Sequence, residues 1–502
     1  MVAPGTAQPR YRQVIVICSD EHDPRHSGFG GSPCVRTPHL DRLAAQSLQF
    51  TRCWTPSPIC VPARASIATG RWVHRHRFWD NAIAYDGSLP SWHHRLRAAG
   101  ATVEAIGKLH FRNATDDTGF SRQHETMHLN EGVGQVWGCV RDPLPERGGG
   151  AGLFRQMGAG ESDYNRFDRR VADAACAWIA ERARVRSAGH AHAPAADHAE
   201  APAALWVGLV APHFPLVVPQ PYLDLYPPER LPPFKLRVQD GYRRHPWVER
   251  LAGYNNLDAQ LGSEERRRLA QACYFALVSF LDEQVGRIVD ALDASGLAED
   301  TLLIYTSDHG DNLGARSLWN KSVLYRESTG VPLLMRGRGI APGRYDGATS
   351  LVDLHPTVRQ ALAVPDAADD PPEGRSWLAL ADQPEPERAV LSEYHAIGSP
   401  SAAFMLQRGR WKLHHYVGYA SELFDLDADP EELHDLAADP AHAHTLVDLE
   451  QALAALLDPQ RVDRLAKDDQ NALVAHHGGR EAALQIGRTG ATPVPQAAGG
   501  RS

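Results

Sequence analysis

Four short apolar runs, each followed by ionisable residues, constrain the fold of this chain more than any other sequence feature. They span residues 14–18, 102–106, 204–210 and 301–305, and helix-like segments such as 37–47 and 273–292 lie between them. Short runs rich in β-branched residues are typical of buried parallel strands. Alternation of such strands with helices predicts an α/β fold, with one large, mostly parallel sheet covered by helices on both faces.

Ionisable side chains follow each of the four predicted strands. In chain order they are Asp20 and Glu21, then Lys108 and His110, then His213, and finally Asp308 and His309. In open α/β sheets, ligands bind at the carboxyl ends of the strands. One polar strand end is ordinary because loops are polar, but four ends carrying Asp, His or Lys favour a shared functional site.

The composition of the chain argues against several classes of protein. The 502 residues carry a formal net charge of −9 and show no basic stripe, so neither nucleic acid nor a membrane surface is an expected partner. Prolines interrupt residues 1–12, where a secretory signal needs an apolar stretch, and no run reaches the roughly 18 to 20 apolar residues of a membrane span. Seven scattered cysteines without CxxC spacing indicate a reducing compartment. We therefore expect a cytoplasmic protein.

We expect two folded units. A catalytic α/β domain is predicted at 12–385, and a smaller α+β unit at 386–485, with strand-like runs at 389–393, 411–415 and 423–426 and a helix at about 441–457. The Ala, His, Gly and Pro-rich stretch at about 183–203 has no apolar periodicity and predicts a flexible insertion. Residues 1–11 and 489–502 are expected to be disordered.

The most specific local pattern is C-V-P-A-R at residues 60–64, continued by A-S-I-A-T-G at 65–70. It places Cys60 at the start of a predicted helix, where the helix N-terminus and the positive charge of Arg64 both favour an anion. From these residues alone, a buried structural cysteine is as good an interpretation as a reactive one, because cysteine is among the most buried residue types.

The pattern C-x-P-x-R followed by A-S-x-x-x-G is similar to the signature of the type I sulfatases, which belong to the alkaline phosphatase superfamily. Further segments resemble that family in the same order, at 107–111, 211–215, 308–311, 318–321 and 423–430. The segment F-W-D-N at 78–81 and the tail around 463–479 are similar to the choline-sulfatase-like branch. The resemblance covers roughly residues 12–485. It implies an alkaline-phosphatase-like α/β fold with a smaller C-terminal α+β subdomain.

The resemblance also implies two cofactors. Cys60 is expected to be oxidised to Cα-formylglycine by a separate formylglycine-generating enzyme. One divalent cation is expected on Asp20, Glu21, Asp308 and His309. These mostly oxygen ligands favour Ca²⁺, and Mn²⁺ or Mg²⁺ are compatible with them. Glu21 departs from the family pattern, which has Asp, Asn or Gln there, so its direct ligation stays open.

The resemblance assigns the remaining polar residues to the substrate. His110 is the expected base for release of sulfate, and His213, together with Lys321, is expected to protonate or hydrogen-bond the departing oxygen. Asn81 is expected to donate to a nonbridging ester oxygen. Three cations are expected to neutralise the ester oxygens: Arg64, Lys108 and Lys321.

The expected activity is that of a sulfuric ester hydrolase, which cleaves small alkyl or aryl sulfates, choline sulfate among them, to alcohol and sulfate. Trp79, Trp92 and Trp137 are candidates for an aromatic cage around a quaternary ammonium group. The alternative activity is hydrolysis of phosphonate monoesters or phosphodiesters at the same formylglycine, because these monoanions carry the same charge as a sulfate ester. A catalytically silent protein on this fold would be expected to have lost part of the site. The branch also implies a homo-oligomer, either a dimer or a tetramer.

Overall fold

The computed structural model describes residues 10–148, 152–192, 201–366, 371, 373–488 and 492–495. This part of the chain contains fifteen strands: β1 (Gln13–Asp20), β2 (Leu48–Trp54), β3 (Thr102–Lys108), β4 (Arg122–Met127), β5 (Met157–Ala159), β6 (Ala203–Pro212), β7 (Leu216–Val218), β8 (Thr301–Ser307), β9 (Gly330–Val331), β10 (Leu333–Arg336), β11 (Gly343–Ser350), β12 (Ala389–Tyr394), β13 (Ala403–Arg408), β14 (Trp411–Tyr416) and β15 (Glu422–Asp425). It also contains fifteen α-helices: α1 (Pro38–Ala45), α2 (Cys60–Thr69), α3 (Val73–His76), α4 (Trp92–Ala98), α5 (Asp163–His192), α6 (Gln220–Leu223), α7 (Pro246–Asn255), α8 (Leu257–Leu261), α9 (Glu264–Ala294), α10 (Arg326–Thr329), α11 (Leu354–Ala361), α12 (Trp377–Asp382), α13 (Ala443–Leu456), α14 (Pro459–His476) and α15 (Arg480–Ala483).

Nine strands form one mixed, mostly parallel sheet. Its order is β11–β2–β10–β8–β1–β6–β3–β4, with β9 paired to β2. The central strand β1 is parallel to both β6 and β8. Strand β3 is likewise parallel to β4 and β6, and β10 runs antiparallel to its two neighbours. The four predicted strands are β1, β3, β6 and β8, so the predicted fold class is confirmed.

Helices cover both faces of this sheet because the strands bury both of their faces. Within β1, Ile15 and Ile17 pack in one apolar cluster, which contains side chains of α5 and α9. Val14 and Val16 pack in a second cluster on the other face, with side chains of α2, α4, α11 and α12. Successive side chains of a strand point to opposite faces, so a continuous apolar run produces two cores.

A separate antiparallel sheet, in the order β12–β13–β14–β15, lies in the C-terminal part of the chain. One of its faces packs against α13 through Leu449 and Leu453. Met405 of β13 belongs to a second apolar cluster, which also contains Trp54 of β2 and Trp247 of α7. The predicted C-terminal strands and the helix at 441–457 are therefore present, and the two sheets share a core. The division of the chain at residue 385 stays a prediction.

Three segments differ from the predicted disorder. Helix α5 continues to His192, so the first ten residues of the predicted flexible insertion are helical, and residues 193–200 lie outside the described part of the chain. Alanine is the strongest helix former, and it allows a helix to continue without an apolar stripe. Tyr11, predicted to be disordered, is 1% exposed and donates to the carbonyl of Arg338. Residues 492–495, also predicted to be disordered, contact the main domain.

None of the helices in the described ranges combines the length and the apolar character needed to cross a bilayer.

Candidate active site

The carboxyl ends of β1 and β8 bring two acids together. These strands are parallel neighbours, with Ser19 opposite Ser307, and Asp20 and Asp308 directly follow these serines. Asp20, Asp308 and His309 are all buried, and their ligand atoms lie within 4.8 Å of one another and of the Cys60 sulfur. The predicted convergence of strand-end residues therefore exists around these four side chains.

Cys60 is the first residue of α2, a helix whose ten residues are all buried. Its Sγ lies 3.1 Å from Nε2 of His309 and 3.6 Å from Oδ1 of Asp20. Burial, together with the negative charge of Asp20, raises the pKa of the Cys60 thiol to about 12. A thiol with this pKa stays protonated near neutral pH and is a weak nucleophile.

Arg64 lies one helical turn after Cys60, and its guanidinium group contacts the carboxylates of Asp20 and Asp308. Its Nε donates to Asp308 at 2.8 Å, its Nη2 to Asp20 at 3.0 Å, and its Nη1 to the carbonyl of Lys108 at 2.9 Å. The Nζ of Lys108 lies 2.6 Å from the same Asp20 carboxylate. Burial alone would raise the pKa of Asp20, but the nearby cations, with Lys108 first among them, hold it well below its usual range. Arg64 and Lys108 thus compensate carboxylates in this structure.

Glu21 belongs to a different group of side chains from Asp308 and His309. Its backbone has a φ of 73°, and its carboxylate lies 3.2 Å from Nζ of Lys321 and 3.7 Å from Nε2 of His213. With Asp20 and His213 it forms a second cluster of ligand atoms within 4.8 Å. Burial raises the pKa of Glu21 to about 8. Direct ligation by Glu21 therefore stays a prediction.

Asn81 and His110 stand at the cavity beside Cys60. The Asn81 side chain accepts from the backbone N–H of Val61 at 3.3 Å and donates to Gln135 at 2.9 Å. His110, with a φ of 58°, hydrogen-bonds through Nε2 to the hydroxyl of Thr492 at 2.7 Å. Burial, and then the charge of Lys108, hold the pKa of His110 well below its usual value. The imidazole ring of His110 is therefore neutral near pH 7.

A cavity of about 370 Å³ opens over Cys60. It is lined by Asn81, His110, His213 and Lys321 among the predicted residues, while the metal-ligand candidates do not line it. Its apolar wall includes Leu129, Val133, Trp137, Phe214, Trp319 and Ile397. Of the three tryptophans proposed for a cage, Trp137 lines the cavity, whereas Trp79 and Trp92 are fully buried core residues.

Two residues at the site, Asp311 and Thr492, were not identified as site residues from the sequence. Asp311 accepts from the backbone N–H groups of Leu313 at 2.6 Å and Asn320 at 3.2 Å, so it holds the loop that carries Lys321. Asp311 lies in the segment 308–311, which resembles the sulfatase family, and this resemblance is the sequence signal that could have identified it. Thr492 lies in a segment predicted to be disordered, and no sequence signal marks its contact with His110.

The chain matches two family models. The model described as "Sulfatase" matches residues 12–364, and the model described as "N-sulphoglucosamine sulphohydrolase, C-terminal" matches residues 314–459. A choline-sulfatase of Rhizobium meliloti (strain 1021) is 31% identical over 428 residues, which are 84% of this chain and 81% of that protein. Arylsulfatase K of Homo sapiens is 26% identical over 472 residues, covering 86% of this chain and 81% of the relative.

Solved structures show the same fold. The phosphonate monoester hydrolase of Agrobacterium radiobacter superposes with a TM-score of 0.67 at 23% identity, over 89% of this chain and 95% of that one. A protein solved in complex with its substrate D-glucosamine-2-N,6-O-disulfate superposes with a TM-score of 0.69 at 19% identity, over 92% of this chain and 98% of that one. The chain belongs to the sulfatase family, whose members are sulfuric ester hydrolases.

Proposed function

We propose that this protein hydrolyses sulfate monoesters of small alcohols or phenols, with residue 60 as Cα-formylglycine beside one divalent cation. The observation that carries the proposal is the buried group formed by Cys60, Asp20, Asp308 and His309 next to a cavity of about 370 Å³. A cavity of this size suits a small organic group. The choline-sulfatase relative makes choline sulfate one specific candidate.

The residues present fit a hard divalent cation. Asp20, Asp308 and His309 would hold it, and the Sγ of Cys60 stands in for a hydroxyl oxygen of hydrated formylglycine. Carboxylate oxygens favour Ca²⁺, while the imidazole nitrogen is also compatible with Mn²⁺, and Mg²⁺ fits the same oxygens. When bound, the cation would polarise the sulfuryl oxygens and the attacking oxygen.

Oxidation of Cys60 would replace its thiol, which is a weak nucleophile because burial raises its pKa to about 12. The hydrated aldehyde would supply two geminal hydroxyls, one as the nucleophile toward sulfur and the other as the source of the proton whose removal would allow sulfate to leave. The oxidation itself requires a formylglycine-generating enzyme as a maturation partner.

The surrounding side chains would move the protons. His110 is neutral because its pKa is held low by burial and by Lys108, so it is free to accept a proton as sulfate is released. The Nδ1 of His213 lies 2.6 Å from the carbonyl of Phe214, so the neutral ring carries its proton there and leaves Nε2 without one. Lys321 is therefore the one of the two that can donate a hydrogen bond to the departing oxygen, with His213 as its neighbour.

The alternative substrate is a phosphonate monoester or a phosphodiester. It is favoured by the structural match to the phosphonate monoester hydrolase of Agrobacterium radiobacter, although at 23% identity that match concerns the fold alone. We favour a sulfate ester as the substrate because the choline-sulfatase relative, at 31% identity, is more similar in sequence to this chain than the phosphonate monoester hydrolase is.

The proposal extends to the setting of the enzyme. All seven cysteines are free thiols, which supports a cytoplasmic location. We propose a catalytic unit at 12–385 and a C-terminal unit at 386–485, assembled as a homo-oligomer of two or four chains.

The test is to co-express the chain with a formylglycine-generating enzyme and to assay matched nitrophenyl sulfate, phenylphosphonate and diester substrates with added Ca²⁺ or Mn²⁺. Mass spectrometry of the peptide containing residue 60 reports its oxidation independently of activity. The variants are Cys60→Ala and, as a matched control, Cys34→Ala, a partly exposed cysteine outside the site. A sulfate preference that is lost only in Cys60→Ala supports the proposal. A phosphonate or diester preference favours the alternative, and full activity in Cys60→Ala overturns the mechanism.

A further inference from the structure

Two stretches near the C-terminus, residues 484–488 and 492–495, form part of the cavity wall, and we call them the C-terminal strap. In the first stretch, the backbone N–H of Trp137 donates to the carbonyl of Ile486 at 3.2 Å, and its indole N–H donates to the carbonyl of Gly487 at 3.0 Å. Ile486, Gly487, Arg488 and Thr492 all line the cavity. The strap is therefore attached to a residue that itself contacts the cavity.

Helix α5 anchors the second stretch. The hydroxyl of Tyr164 donates to the carbonyl of Thr492 at 2.7 Å, and the guanidinium of Arg170 donates to the carbonyl of Pro495 at 3.4 Å. Val494 packs against the apolar cluster that contains side chains of α5 and α9. These contacts fix the backbone of Thr492 and so determine where its hydroxyl lies.

The hydroxyl of Thr492 lies 2.7 Å from Nε2 of His110. Among the described residues this is the one hydrogen bond to the imidazole ring, because Nδ1 is enclosed and has no partner there. The orientation and tautomer of a histidine are set by the hydrogen bonds to its two nitrogens. Within the described part of the chain, Thr492 alone provides such a constraint for His110.

We propose that Thr492 is a positioning residue that holds the His110 imidazole in its working orientation, and that the strap thereby completes the active site. The inference rests on the proposed function, in which His110 accepts a proton. A threonine hydroxyl both donates and accepts. In the tautomer whose Nε2–H donates to the Thr492 hydroxyl, Nδ1 keeps the electron pair that takes up a proton, and Nε2–H still donates to the same hydroxyl once the ring is protonated, so the ring is held in both states.

The first experiment compares Thr492→Val with Thr492→Ser in the full-length, oxidised enzyme. Valine keeps the shape but removes the hydroxyl, so kcat for the sulfate ester is expected to fall about tenfold, the typical effect of one lost hydrogen bond. KM should change little, because the contact is to His110 and not to the organic group. Serine should restore most of kcat. Thr51→Val, at a surface contact with Asp346, is the matched control.

The second experiment tests the strap independently of activity. In Gly487→Ala the new Cβ would lie 2.0 Å from the carbonyl oxygen of Gly134, at a φ of +78°, so the first stretch must shift. His110 is 6% exposed with the strap in place, and the variant should react several-fold faster with diethyl pyrocarbonate at His110. The side chain of His434, 77% exposed, is the internal reference.

The outcomes separate the two proposals. A wild-type enzyme without sulfatase activity, but with slow labelling of His110, would refute the proposed function and leave the docked strap intact. Equal labelling of His110 in wild type and Gly487→Ala would overturn the claim that the strap completes the site, and an unchanged kcat in Thr492→Val would overturn the role of Thr492.

Discussion

The Sγ atom of Cys60 lies 3.1 Å from the Nε2 atom of His309, although 249 residues separate them in the chain. Cys60 is the first residue of helix α2, and His309 follows the carboxyl end of strand β8 in the main sheet. An oxygen that replaces the sulfur would stand beside the same imidazole and the same carboxylates. The proposed nucleophile and the proposed cation site therefore lie in one cluster, and each can be tested separately.

Removal of the charge of one expected metal ligand should strongly weaken cation binding. Asp308→Asn keeps the shape of the side chain but removes its charge, and divalent cation affinity is expected to fall at least about a hundredfold. Equilibrium dialysis against Ca²⁺ or Mn²⁺, followed by metal analysis, measures this without an activity assay. Asp346→Asn, at an exposed acid, is the control. Unchanged cation binding in Asp308→Asn would contradict the assignment of the site.

Arg64 should be essential for stability as well as for the site. Its side chain is 1% exposed and pairs with the fully buried Asp20 and Asp308. Removal of one partner from a buried ion pair leaves an uncompensated charge and costs roughly 3 to 5 kcal/mol. Urea denaturation of Arg64→Met in EDTA should show a loss of this size.

Added Ca²⁺ should recover part of the stability lost in Arg64→Met, because a divalent cation compensates the same carboxylates. Arg42→Met, which breaks an exposed pair with Asp290, should cost no more than about 1 kcal/mol. Equal losses in the two variants would show that the buried charges around Arg64 are compensated by other groups.

The sequence predicts the sheet and the meeting of Asp20 with Asp308 for a physical reason. Apolar runs identify strands buried on both faces, and the ends of parallel neighbours must lie side by side. The helix at Cys60 follows from a local pattern and is confirmed as α2. Each of these features depends on residues that are close together in the chain, so the local sequence pattern predicts it.

The features that the sequence did not predict depend on contacts between distant segments. Asp20 belongs to both clusters of ligand atoms, whereas Glu21, whose backbone leaves the strand with a φ of 73°, belongs only to the cluster that contains His213. Trp79 and Trp92 look no different from Trp137 in sequence, and only the folded chain shows that Trp137 is the one of the three that lines the cavity. The contact between His110 and Thr492 spans 382 residues and involves a polar segment with no periodicity.

Asp80, next to Asn81, should make stability depend on pH. It accepts from the backbone N–H of Asn81 at 2.7 Å and from Gln470 at 3.2 Å, and it is fully buried. Burial raises the pKa of Asp80 to about 7. Between about pH 4 and pH 7 the folded chain therefore keeps a proton that the unfolded chain has released, so this contribution to stability falls as the pH rises.

Asp80→Asn should remove this dependence. The stability of the wild type relative to Asp80→Asn is expected to be greater at pH 5 than at pH 8, by about 1 to 3 kcal/mol. Urea denaturation at both pH values measures the difference, and Asp346→Asn should show no such change. A difference that is the same at the two pH values would mean that Asp80 is ionised throughout this range.

A buried ion pair within the C-terminal part of the chain lies against the main sheet and should contribute to stability. Nζ of Lys412, on β14, lies 2.6 Å from Glu432 and 4.4 Å from the ring centroid of Trp54, on β2. Both charged side chains are 0% exposed. Lys412→Met leaves Glu432 buried without this partner and should cost roughly 3 to 5 kcal/mol of unfolding free energy.

Glu432→Gln tests whether that cost arises from the stranded charge. In the double variant Lys412→Met/Glu432→Gln no carboxylate is left unpaired, so the loss should be smaller than the sum of the two single losses by at least about 2 kcal/mol. Four urea denaturation curves complete this cycle. Additive losses would instead show that Lys412 acts through its packing on Trp54, because that contact is absent from both variants that lack the lysine.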